Sequence, residues 1–78
     1  MRNPPLYIGL EQAREVLGEM GVKLSSRQIK RSAEPDANGQ RKLPFFVDPI
    51  EGTLKIEKGS LLRIYHQAQV DAENSAKL

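Results

Sequence analysis

The stretch Ser25-Ser26-Arg27-Gln28-Ile29-Lys30-Arg31-Ser32-Ala33-Glu34-Pro35 carries the reading of this chain. Ser25 and Gln28 match the S-x-x-Q capping box, in which the two side chains satisfy N–H groups that a first helical turn leaves free. A helix is therefore expected to begin at Ser25. Pro35 disfavours helical geometry at Glu34, which limits this helix to about two to three turns. At roughly 100° per residue, Ile29 and Ala33 fall together and face a core. Arg27, Lys30 and Arg31 stand at i, i+3 and i+4 on the side away from that apolar pair. Like charges at this spacing repel one another unless an anion meets them. A solvated surface is the plain alternative, and the context of the helix decides between the two.

Toward the N-terminus, Gly9 to Met20 reads as an amphipathic helix. Leu10, Ala13, Leu17 and Met20 recur at helical spacing, with Val16 at the edge of that face. Gly9 is an acceptable N-cap that Gln12 can reach, and Gly21 suits a C-cap with positive φ. Glu11, Glu15 and Glu19 form an acidic stripe on one side, and Val22-Lys23-Leu24 crosses to the second helix. Ahead of the first helix, Pro4 and Pro5 mark an extended arm over residues 1–5, followed by the short apolar step Leu6-Tyr7-Ile8.

Toward the C-terminus, Glu34 to Gly39 is a loop with turn formers at Pro35-Asp36 and Asn38-Gly39. Leu43 to Val47 and Thr53 to Glu57 read as two strands, joined by Asp48-Pro49-Ile50-Glu51-Gly52 as a five-residue hairpin loop. Pro44 has no ladder donor and belongs at a strand end or edge. A third helix is expected near Ser60, closing the core with Leu61, Ile64, Tyr65 and Ala68. It should end near Val70, leaving 71–78 as a polar, frayed tail around a single domain over 6–70. The order is helix, turn, helix, loop, hairpin, helix.

The 78 residues suffice for one thin-cored domain and leave little room for a deep catalytic cleft. With no cysteine, neither disulfides nor a thiolate metal site can reinforce the core, so self-association is one route to added stability. No apolar run approaches the ~20 residues of a membrane span. The start Met1-Arg2-Asn3-Pro4-Pro5 does not resemble a signal peptide, and a cytoplasmic location is expected. His66 is the lone histidine, and no carboxylate cluster offers it metal-binding company. Ser25, Ser26 and Ser60 look like helix caps, without a base to make any of them a nucleophile. There is no glycine-rich phosphate loop. No catalytic residue, metal or cofactor is expected.

Net charge is only +2, but it is unevenly spread. Lys23, Arg27, Lys30, Arg31, Arg41 and Lys42 face only Glu34 and Asp36 in the middle segment, while both flanks are slightly acidic. A basic centre of this kind suits a polyanion. Placed on a helix that follows another helix and a turn, it points to double-stranded DNA. Arg27 and Arg31 suit bidentate contacts to guanine or phosphate, and Lys30 a phosphate. Ser25, Ser26 and Gln28 flank the helix start, where hydrogen-bonding side chains reach base edges or phosphates. Arg41 and Lys42 before the first strand and Lys55 in the second make the hairpin a second DNA-contacting element. Phe45 and Phe46 point to opposite faces of a strand, so only one can enter the core. The other packs partly, contacts a protein or wedges between bases. Ile50 at the hairpin tip and Leu62 beside the apolar face of the last helix are candidates for self-association, with core spillover as the alternative for Leu62.

The layout resembles the MerR-like winged helix-turn-helix group, in particular its small excisionase and AlpA-type branch. Tyr7-Ile8-Gly9-Leu10-Glu11-Gln12-Ala13-Arg14-Glu15-Val16-Leu17-Gly18 follows the family's opening aromatic-aliphatic step and x-E-x-A-x-x-L-G helix. Ser25-Ser26-Arg27-Gln28-Ile29-Lys30-Arg31 approximates its S-x-x-T-I-x-R recognition helix, and Gly39 to Phe46 its G-x-L-P-x-x wing entry. A last helix within Lys55 to Gln69 completes the likeness, which covers about residues 6–70. The resemblance implies a small α+β winged helix-turn-helix with a two-stranded wing and a C-terminal helix. It further implies an excisionase, or recombination directionality factor, that binds repeated sites cooperatively and bends DNA for a tyrosine recombinase (integrase). A transcription regulator on the same fold, the DNA-binding part of a small terminase subunit and a protein-interaction module without DNA binding are the competing readings.

Overall fold

A computed structural model describes residues 4–76, so the expected arm over 1–5 and tail over 71–78 lie partly outside the described residues. The elements run β1 (Tyr7–Ile8), α1 (Leu10–Glu19), α2 (Ser26–Ser32), β2 (Phe46–Val47), β3 (Leu54–Glu57) and α3 (Lys58–Ala76). The described residues thus form a small mixed α+β fold with three helices and one antiparallel sheet.

Each helix starts where the local chemistry dictates. Gly9 precedes α1, and its N–H donates to Gln12 Oε1 at 3.4 Å. The end of α1 turns at Gly21, whose φ of 93° few side chains tolerate. There the Val22 N–H reaches the Leu17 carbonyl at 2.8 Å and the Gly21 N–H that of Gly18 at 3.1 Å, the paired bonds of a Schellman ending. Met20, placed on the apolar face by periodicity, sits in this turn and is exposed. Ser25 caps α2 as expected: its Oγ accepts from the Gln28 N–H at 3.1 Å, and its own N–H donates to Gln28 Oε1 at 2.8 Å.

The sheet differs from the expected two-stranded hairpin. Leu6-Tyr7-Ile8 contributes a third strand, and the order is β1-β3-β2, with β3 in the middle. Tyr7 pairs with Glu57 and Ile8 with Ile56 on one side of β3, while Phe46 pairs with Lys55 and Val47 with Leu54 on the other. The first hairpin strand is also shorter than Leu43 to Val47. Pro44 cannot donate to a ladder, and the Phe45 N–H turns back to the Leu43 carbonyl at 2.7 Å, so pairing starts at Phe46. Thr53 likewise falls outside β3: its carbonyl accepts from the Asp48 N–H at 2.7 Å and closes the hairpin loop.

The core lies where α1, α2, α3 and the inner face of the sheet meet. Leu17, Ile29, Ile56 and Leu61 are its largest fully buried side chains, with Ile8, Ala13, Ala33, Leu43 and Phe45 around them. Phe45 enters the core at 3% exposure, whereas Phe46 stays outside at 39% and meets the Tyr7 ring edge-on, 5.6 Å between centroids. Ile64 and Tyr65 pack against the core as expected, but Ala68 is exposed.

No residue separates β3 from α3. Glu57 ends the strand, and its carboxylate accepts from the Gly59 and Ser60 N–H groups that begin the helix. This cap starts α3 two residues before Ser60. The helix also outruns its expected end near Val70 and continues to Ala76. Along this stretch Gln67 donates to Asp71 at 2.9 Å and Gln69 to Glu73 at 3.1 Å, i,i+4 pairs that support a helix without burial.

Candidate nucleic-acid interface

The basic helix α2 is held from below and from both ends. Ile29 and Ala33 are buried beneath it, and the capping box fixes its start. At its C-terminal end the Arg41 Nε donates to the Ala33 carbonyl at 2.7 Å, and the Leu43 N–H donates to the Ser32 carbonyl at 3.1 Å. A cation there satisfies a carbonyl the helix leaves free and complements the negative end of its dipole. Between these anchors the loop closes on Asp36. Its Oδ1 accepts the Asn38 and Gln40 N–H groups at 2.8 and 3.0 Å, and the Asp36 N–H donates to the Gln40 carbonyl at 2.8 Å. One of the two acids in the basic segment is thereby turned into its own loop.

Apart from the exposed Glu34, what remains outward is mainly cationic. Arg27, Lys30, Arg31 and Lys42 are all exposed. Among the described residues the ion pairs are Arg14–Glu11, Lys55–Glu51 and Arg63–Glu57, so none of those four cations has a carboxylate partner there. The structure brings Arg31 and Lys42 together across an open groove of about 540 Å³ between α2, the Lys42-Leu43 segment and α3. Leu24, Leu43, Ile64 and Tyr65 form its apolar floor.

The other residues singled out from sequence have more specific placements. Ser25 and Gln28 are exposed, but their side chains are engaged in the cap. The Ser26 hydroxyl donates to Glu11 Oε1 at 3.4 Å, linking α2 to α1. Arg14 holds the same carboxylate from the other side at 2.9 Å, and chiefly for that reason the Glu11 carboxyl lies below its ordinary value. Arg41 is half-buried against Ala33, a role that only the fold reveals. Lys55 lies on the outer face of β3, half-covered and 3.9 Å from Glu51. Ile50 at the hairpin tip is 92% exposed, and Leu62 is exposed on the side of α3. The apolar groove was not legible from sequence. Leu24 reads as part of a crossing segment, and Tyr65 as core, until α2 and α3 are set side by side.

No family model matches this chain, and neither curated proteins nor solved structures provide a significant match.

Proposed function

We propose that this protein is a non-catalytic DNA-binding protein in which α1 and α2 act as a helix-turn-helix, α2 as the recognition helix and the β2–β3 hairpin as a wing. The observation that carries this reading is the outward face of α2. Arg27, Lys30 and Arg31 share one exposed face of a seven-residue helix without carboxylate partners among the described residues, and Lys42 extends the charge beside it. An anionic surface removes the repulsion among them, and duplex DNA supplies phosphates at the needed density. In this reading Arg27 and Arg31 contact guanine or phosphate, and Lys30 and Lys42 contact phosphate. Ser25, Gln28 and Arg41 hold the helix in position, and Ser26 sets its angle to α1.

The biological role that fits best is a cytoplasmic excisionase-type factor, binding repeated sites and bending DNA for a tyrosine recombinase. The support is the resemblance of Tyr7 to Phe46 to that branch and the small size of the domain. Such a factor works architecturally and uses no active site.

Salt titrations of the protein on duplex DNA test the reading. Replacing Arg27 and Arg31 with Ala is expected to weaken binding across sequences and to reduce the salt slope by about 2 if both contact phosphate, at about 0.9 per contact. Several shifted species that bend DNA in electrophoretic phasing support the excisionase role, and a single unbent complex supports a transcription regulator. A folded protein that fails to bind duplex at low salt overturns the DNA reading and leaves a protein-interaction module.

A further inference from the structure

We propose that the tip of the β2–β3 hairpin of one copy docks into the groove between α2 and α3 of a second copy, joining molecules head to tail. The tip has the chemistry of a plug. Ile50 is 92% exposed, the most open large apolar side chain among the described residues. It is also held in one shape: Asp48 Oδ1 accepts the Ile50 N–H at 2.8 Å, and the Gly52 N–H closes the loop on the Asp48 carbonyl at 2.8 Å. A preformed tip gives up little freedom on docking. Its charge is acidic on balance, from Asp48 and Glu51, with Lys55 at its base 3.9 Å from Glu51.

The groove has the opposite character. Its floor of Leu24, Leu43, Ile64 and Tyr65 is apolar, its rim carries Arg31 and Lys42, and no carboxylate lines it. A volume of about 540 Å³ accommodates a branched aliphatic side chain together with part of its turn. Apolar tip thus meets apolar floor, and a turn that is acidic on balance meets a basic rim. Within one molecule the tip stands in solvent, so the groove is filled from a neighbour. Plug and socket are different surfaces, so the contact is heterologous and builds open chains unless its rotation closes a ring. The area buried is small and the association weak. It requires no DNA and does not rest on the DNA reading; where both occur, docking and DNA compete for Arg31 and Lys42.

Sedimentation equilibrium of the DNA-free protein over a wide concentration range tests this. The average mass of the wild type is expected to rise with concentration and to fall back with added salt. Ile50→Asp, which spoils the plug, and Lys42→Glu, which spoils the socket, should each remain monomeric; both positions are exposed, and circular dichroism verifies that the variants are folded. The decisive sample is their equimolar mixture. One intact socket on the first variant and one intact plug on the second allow a single contact, so the mixture should form a 1:1 dimer and grow no further. A wild type that stays monomeric throughout, an Ile50→Asp protein that assembles like wild type, or a mixture that stays monomeric overturns the proposal.

Discussion

Glu57 is the residue on which the most local structure converges. It closes the register with Tyr7, ends β3, and accepts the first free N–H groups of α3. Its carboxyl is held below the ordinary value, mainly by the Gly59 N–H, with the Ser60 hydroxyl and N–H and the Arg63 guanidinium adding to the effect against partial desolvation. A lowered folded-state value means that the carboxylate stabilises the fold above the unfolded-state pKa and that this contribution is lost as pH falls through the folded value. Glu57→Gln is therefore expected to lower the thermal midpoint at neutral pH, with the gap to wild type closing on acidification below the usual carboxylate range. Thermal unfolding followed by circular dichroism across pH checks it, and a gap that persists in acid contradicts it. At this scale the sequence is legible only where partners are close along the chain. The Ser25–Gln28 box spans three residues and could be read directly. Arg41 and Ala33 lie eight apart across a loop, so a residue that reads as a basic group for DNA turns out to cap a helix.

Among the elements, the helices were more legible than the strands for a physical reason. Ten residues of α1 repeat their apolar positions often enough to define a face, whereas β1 and β2 have two residues each and no period to detect. Tyr7-Ile8 becomes a strand because β3 offers it a partner, a tertiary fact absent from local propensity. The extension of α3 is the converse case. Residues 71–75 bury nothing, yet Gln67–Asp71 and Gln69–Glu73 bonds continue the helix past its last core contact. Deleting residues 71–78 is expected to reduce helical ellipticity while changing unfolding free energy by no more than about 0.5 kcal/mol, the usual scale for surface changes. Urea unfolding monitored by tyrosine fluorescence measures this, and a loss of several times that size would mean the last turns carry tertiary contacts.

For the whole molecule, 78 residues imply a folding free energy of roughly 4–12 kcal/mol at the usual 0.05–0.15 kcal/mol per residue. Leu17, fully buried where α1 meets the rest of the core, is a large share of that total. Leu17→Ala is expected to cost about 2–5 kcal/mol, enough to leave the domain partly unfolded near physiological temperature if the wild type lies at the low end. Chemical denaturation of both proteins checks this, and a cost under 1 kcal/mol would mean the core collapses around the missing side chain. The direct passage from β3 into α3 also has a mechanical meaning. With no linker to absorb rotation, and with the Lys58 N–H bonded to the Leu6 carbonyl at 2.9 Å, the helix is a lever whose fulcrum is the central strand. Its nineteen residues span roughly 28 Å at 1.5 Å per residue, so a tilt of about 10° at the junction sweeps the far end through roughly 5 Å. A small tilt of the helix against the sheet would thus be magnified at its far, solvent-exposed turns, beyond the Leu61, Ile64 and Tyr65 contacts that anchor its start.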